Sequence, residues 1–175
     1  MARGRLARGA HGMPVGRATR PTTARVREAI FDTLFGKAEL VGASVLDLFA
    51  GTGSLGFEAG ARGAASVVFV ERDHQAAAAL RRSTADPRWS GRSDFTVVER
   101  DALAFLASSR EIFDICFCDP PYRFTDWDKV LAFAPGRLVV AESDRDIPGS
   151  NGYGQTTLKR YGDTWVSYLR LDTAP

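Results

Sequence analysis

The sequence predicts an α/β fold, a mostly parallel sheet with helices on both faces. Three patterns predict it. Strand and helix signals alternate four times from residue 44 onward. The strand segments are continuous apolar runs, which suits strands covered on both sides rather than a sheet with one wet face. A glycine-rich turn also leaves the first strand and opens a helix, as in nucleotide-binding α/β units. With 175 residues, 45% of them hydrophobic, the chain is expected to hold one domain over residues 22–175, behind a basic arm or short hairpin over residues 1–21.

The elements follow in order. Residues 1–21 are rich in Gly and Arg and contain Pro14 and Pro21, hence the arm. Thr22 or Thr23 can cap a helix whose Val26, Ile30, Phe31, Leu34 and Phe35 share one side. SVLDLF (44–49) is a buried strand, AGTGSLG (50–56) a turn, and a short helix runs on to Gly60. ASVVFVE (65–71) is a second strand, and Asp73 can cap the alanine-rich helix that ends near Thr84. After the loop ADPRWSGRSD (85–94), FTVVE (95–99) is a third strand, with a helix over 102–108 and a fourth strand, IFDICFC (112–118). A weaker helix over 126–133, a turn at Pro135 and Gly136, and the strand RLVVAE (137–142) come next. SDRDIPGSNGYG (143–154) reads as a linker. TTLKRYGDTWVSYLRL (156–171) reads as an antiparallel hairpin turning at Gly162 and Asp163.

Composition excludes several classes. No run of about 18 apolar residues occurs, so no membrane span is expected. The basic N-terminus lacks an apolar stretch, so no secretory signal is expected either. The two cysteines, Cys116 and Cys118, lie two apart on one strand, without the geometry for a disulfide; they read as core residues in a reducing, cytoplasmic compartment. His11 and His74 are too distant in sequence to add a metal site. The net charge of +2 conceals an asymmetry: Arg3, Arg5, Arg8, Arg17, Arg20, Arg25 and Arg27 precede the first acid, Glu28. That is a polyanion-binding footprint. The chain's general preference for arginine, 20 against 3 lysines, is the competing explanation.

Gly51, Gly53 and Gly56 spell G-x-G-x-x-G, and Glu71 closes the next strand, where it could accept from ribose hydroxyls. A nicotinamide-linked oxidoreductase therefore competes. Three features oppose it. Asp47 ends the strand before the glycine loop, where a carboxylate would repel a pyrophosphate but suit a cationic amino-acid ligand. Asp101, just past the third strand, can accept from an adenine amino group. The chain also leaves little room for a separate substrate domain. S-adenosyl-L-methionine, with adenine, ribose and an amino-acid tail but no phosphate, meets all three conditions.

Taken in order, RPTTARVREAIFDTL, VLDLFAGTGSLGFEAGARGAASVVFVERD, FDICFCDPPY and RYGDT resemble the RsmD-like bacterial methyltransferases. The resemblance is strong over residues 17–124 and weaker over 137–171. It implies the class I S-adenosylmethionine-dependent methyltransferase (Rossmann-like) fold, a seven-stranded mixed sheet with helices on both faces and a C-terminal antiparallel hairpin. It also implies methyl transfer to the exocyclic N2 of a guanine in 16S rRNA, within an assembled or assembling small ribosomal subunit. Asp47, Phe49, Gly51, Gly53, Glu71, Arg72, Asp101 and Ala102 are the expected cofactor residues, and Arg5, Arg8, Arg17 and Arg20 the expected RNA contacts. Two departures stand out: the N-terminal ARGRLARGAHGMPV is short, and so is the segment between Tyr122 and Arg137.

The fourth strand ends abruptly in Asp119, Pro120, Pro121 and Tyr122, because proline gives no N–H to a ladder. These four are the expected catalytic residues. Asp119 and the Pro120 carbonyl can accept the two hydrogens of an exocyclic amine, and Tyr122 can stack on an extruded base. Such a tip suits any exocyclic amine, so adenine N6 or cytosine N4 of DNA or RNA remain alternatives. A non-catalytic RNA-binding assembly factor is the reading from another class.

Overall fold

The computed structural model describes residues 24–35, 39–121, 123–133 and 135–172. Expectations for the arm over residues 1–21, including Arg5, Arg8, Arg17 and Arg20, lie outside these residues, as do Thr22, Thr23 and Tyr122. Seven strands form one sheet: β1 (Ser44–Asp47), β2 (Ser66–Glu71), β3 (Asp94–Glu99), β4 (Phe113–Cys118), β5 (Gly136–Ser143), β6 (Tyr153–Tyr161) and β7 (Thr164–Leu171). Their order is β3-β2-β1-β4-β5-β7-β6. Pairing is parallel from β3 through β5 and antiparallel for β5–β7 and β6–β7. The helices are α1 (Ala24–Phe35), α2 (Ser54–Ala61), α3 (His74–Thr84), α4 (Ala102–Ser108) and α5 (Trp127–Ala132).

The apolar strands are continuous because successive side chains enter two different cores. Val45, Ile115, Phe117 and Val140 join Ile30, Phe31 and Leu34 of α1 and Leu55 and Ala59 of α2 on one face. Leu46, Cys116, Cys118 and Val139 meet Leu106 of α4 and Trp127, Val130 and Leu131 of α5 on the other. Both cysteines are buried free thiols, and burial pushes the Cys116 thiol up. Among the described residues no helix is long and apolar enough to cross a membrane.

Two segments differ from expectation. Gly136 opens β5 instead of turning, since the Tyr153 hydroxyl donates to the Gly136 carbonyl and a Cβ on Gly136 would come within 3.0 Å of the Cys116 nitrogen. Residues 144–152, expected as a linker, are packed: Ile147 is 2% exposed, and Ser150 and Asn151 bond the Asp128 carboxylate and carbonyl, each at 3.0 Å. β6 begins earlier than expected because Tyr153 is buried beneath this segment.

Candidate active site

In a parallel α/β sheet, ligands sit beyond the carboxyl ends of the strands, at the point where the strand order reverses. Here that point lies between β1 and β4: the chain leaves β1 towards β2 on one side and returns through β4 on the other. Asp47 ends β1 in register with Phe117, and the Leu48 N–H still bonds the Phe117 carbonyl at 3.0 Å. Asp119 follows β4 at the same edge.

Asp47 is 2% exposed and accepts from the Gly56 N–H at 2.9 Å. Burial raises its pKa from 3.8 to about 7; the Gly56 hydrogen bond opposes this, while the charges of Asp119 and Glu71 add to it. The carboxylate therefore ties the first turn of α2 to β1 and feels the other two acids of the site. Gly56 permits this contact, because a Cβ there would fall 2.3 Å from Cε1 of Phe69, inside the core.

Glu71 grips the glycine loop from the neighbouring strand. Its Oε2 accepts from the Gly51 N–H at 2.8 Å and its Oε1 from the Asp73 N–H at 2.7 Å. Each oxygen retains a second lone pair for a ligand hydroxyl. Gly51 and Gly53 both lie in the left-handed region, at φ 52° and 75°. A Cβ on Gly51 would meet only the Phe49 carbonyl, at 4.0 Å, so the backbone faces open space where a ligand can approach it. Asp101 caps α4 by accepting from the Ala104 N–H at 3.1 Å; its Oδ2 has no hydrogen bond among the described residues. Ala102 is the buried first residue of that helix, and Arg72 is exposed beside Glu71.

The two parts of the rim meet through aromatic rings. Phe49 lies edge-on to Phe124 at 5.3 Å, and Phe124 edge-on to Trp127 at 5.2 Å. Pro120 is half-buried and Pro121 exposed. Phe124 and Arg145, whose Nη2 donates to the Phe124 carbonyl at 2.9 Å, were not expected from the sequence. Their contact spans 21 residues and leaves no local signal. Glu99, at the end of β3 in register with Glu71, is engaged by His74 and Arg81 of α3, which hold its carboxyl below the usual range.

A cleft of about 340 Å³ lined by Glu39, Asp114, Arg137 and Arg170 lies at the opposite, amino ends of β1, β4 and β5. It shares no residue with the rim. Among the described residues no group of three or more His, Cys, Asp or Glu side chains could hold a metal.

The family described as Conserved hypothetical protein 95 matches residues 4–170. Ribosomal RNA small subunit methyltransferase D of Haemophilus influenzae is 32% identical over 158 residues, covering 85% of this chain and 80% of that protein. The solved structure of yhhF from Escherichia coli has a TM-score of 0.76 at 31% identity, covering 88% of this chain and 89% of that one. Magnesium protoporphyrin IX methyltransferase of Synechocystis, solved with bound S-adenosylmethionine, has a TM-score of 0.67 at 14% identity over 83% of this chain and 78% of its own; that likeness is one of fold alone. The sheet is that of the class I methyltransferases. The chain belongs to the family of Conserved hypothetical protein 95, in which the ribosomal RNA small subunit methyltransferase D proteins are found.

Proposed function

We propose that this protein transfers a methyl group from S-adenosyl-L-methionine to the exocyclic N2 of a guanine in 16S rRNA. The observation that carries the reading is the pairing of two acids across the switch point. Asp47 closes β1 beneath the glycine loop, and Asp119 follows β4 closely enough to raise the Asp47 pKa. One side of the edge is thus built to hold a cofactor and the other to hold an amine.

The residues present fit this cofactor. Gly51 leaves its backbone open, Glu71 keeps acceptor capacity for ribose hydroxyls, and Asp101 keeps Oδ2 for an adenine amino group. Asp47, Glu71 and Asp119 together favour a cation. Bound there, the cofactor supplies an electrophilic methyl group on a positively charged sulfur. Phe49, Gly53, Arg72 and Ala102 are the remaining residues that would line the cofactor.

On the amine side, Asp119 accepts one N2 hydrogen and the Pro120 carbonyl the other. Guanine N2 is a weak nucleophile because its lone pair is shared with the ring; two acceptors turn that lone pair out of the plane. Pro121 has no N–H to compete for those acceptors, and Tyr122 stacks on the extruded base. Most of the rate gain is then positioning, and the departing proton can go to water without an obligatory base. Arg5, Arg8, Arg17 and Arg20 serve as phosphate contacts of the arm.

The test is to incubate the protein with labelled S-adenosylmethionine and undermodified small subunits, then digest the RNA and identify the nucleoside. Labelled N2-methylguanosine is the expected product. Label in N6-methyladenosine or N4-methylcytosine would move the reading to another amine. No label in either free 16S rRNA or subunits would favour an assembly factor.

A further inference from the structure

We propose that the loop after the catalytic tip is a phosphate grip, in which Arg123 contacts the RNA backbone beside the target base and Arg145 positions it. The inference rests on the reading of the site as an RNA methyltransferase. Arg123 is one of two non-glycine residues with positive φ among the described residues, at 69°. A long side chain in the left-handed region is uncommon, and such conformations persist only where the surroundings enforce them.

The surroundings are visible. Arg145 Nη2 holds the carbonyl of the next residue, Phe124, at 2.9 Å. The Phe124 ring is wedged against Phe49 and Trp127. Arg145 in turn belongs to the packed segment between β5 and β6: the hydroxyl of Ser143, at the end of β5, donates to the Arg145 carbonyl, and Ser150 and Asn151 tie down Asp128 of α5. This strap therefore grips the loop at Phe124 and α5 at Asp128, on either side of Trp127.

Next to Phe124, which the strap holds, stands an exposed cation. The Arg123 side chain is exposed and has no hydrogen bond or ion pair among the described residues. Arg62, Arg81, Arg88, Arg145 and Arg170 each have an acidic partner, whereas Arg72, Arg82, Arg92 and Arg110 share the exposure of Arg123; only Arg123 of these directly follows the tip of β4. The floor of the site holds Asp47, Glu71 and Asp119, which repel an approaching phosphate backbone. Arg123 stands four residues after Asp119, where a phosphate next to an extruded nucleotide needs a counter-charge.

The experiment measures the salt dependence of binding to undermodified 16S rRNA, together with kcat, RNA KM and cofactor Kd, for the full chain. Arg123→Gly suits a φ of 69°, so thermal stability should not fall. Its log–log salt slope should nevertheless drop by about 0.7–0.9, with RNA KM up roughly tenfold and cofactor Kd unchanged. Arg123→Lys should restore the slope. Arg145→Ala should raise RNA KM and lower kcat, Arg145→Lys should recover part of the loss, and Arg145→Ala should cost no further RNA affinity in the Arg123→Gly background. An Arg123→Gly slope equal to wild type overturns the grip, and additive losses overturn the positioning role of Arg145. A wild type that methylates no RNA would instead sink the functional reading on which the grip rests.

Discussion

Replacing Asp47 with Asn isolates the electrostatic load at the centre of the site. The Asp47 carboxyl is buried and its pKa stands near 7 against 3.8 for an ordinary aspartate, chiefly because of burial. Between those values the native state holds more protons than the unfolded chain, so stability falls as pH rises through the window and levels off above 7. Asn has the same shape, carries no charge, and its Oδ1 can still accept from the Gly56 N–H seen at 2.9 Å. The variant should match wild type near the unfolded pKa and exceed it increasingly above. From pH 5 to pH 7 the gap grows by roughly 2 kcal/mol, at up to about 1.4 kcal/mol per unit and less as Asp47 ionises near pH 7. For a chain of this size that is a Tm difference of about 4–8 °C. Thermal unfolding of both proteins without cofactor, followed by circular dichroism from pH 5 to 8, reads it directly. The same substitution should weaken cofactor binding, because one of the anions proposed to favour the cationic cofactor is lost. A Tm gap that does not change with pH would refute the assignment of a buried, destabilising carboxylate.

Other outcomes follow from the same edge. Glu71→Ala removes the acceptor for two backbone N–H groups and the acceptor proposed for the ribose, so calorimetry should show S-adenosylmethionine affinity down roughly ten- to hundredfold. Unchanged affinity would exclude Glu71 from the site. Gly56→Ala forces a methyl against Phe69 and Val67 and should cost about 1–3 kcal/mol in denaturant unfolding; an unaltered midpoint would mean α2 can lift off β2 freely. Replacing Arg5, Arg8 and Arg17 by Ala should flatten the RNA salt slope by roughly two to three units and spare cofactor affinity; coincident slopes would leave the arm no role in binding.

The acids of the site were legible because each one interrupts a local pattern. Asp47, Glu71 and Asp119 end or follow apolar runs, and in a parallel sheet those ends share one edge. The glycine spacing was legible for the same reason, since Gly56 marks the close approach of helix to strand. What the sequence could not display were contacts between distant segments. The same Glu71 that was expected to meet a ribose also clamps Gly51, 20 residues away. The 143–154 segment looked like a linker because Gly, Pro, Ser and Asp dominate it. Its ordering comes from Ile147 in the core and from Arg145, Ser150 and Asn151 reaching the post-catalytic loop and α5. Polar residues that bond non-locally have no periodicity to betray them.

The central claim is that one edge of the sheet is divided into a cofactor half and an amine half, with Asp119 serving the amine. Single-turnover methyl transfer by Asp119→Ala at saturating S-adenosylmethionine, paired with calorimetric cofactor binding, tests that division. Transfer to RNA should fall roughly hundredfold or more, as for loss of a positioning group, with cofactor Kd nearly unchanged. Transfer at the wild-type rate, or a loss of cofactor affinity large enough to explain the loss of transfer, would contradict it.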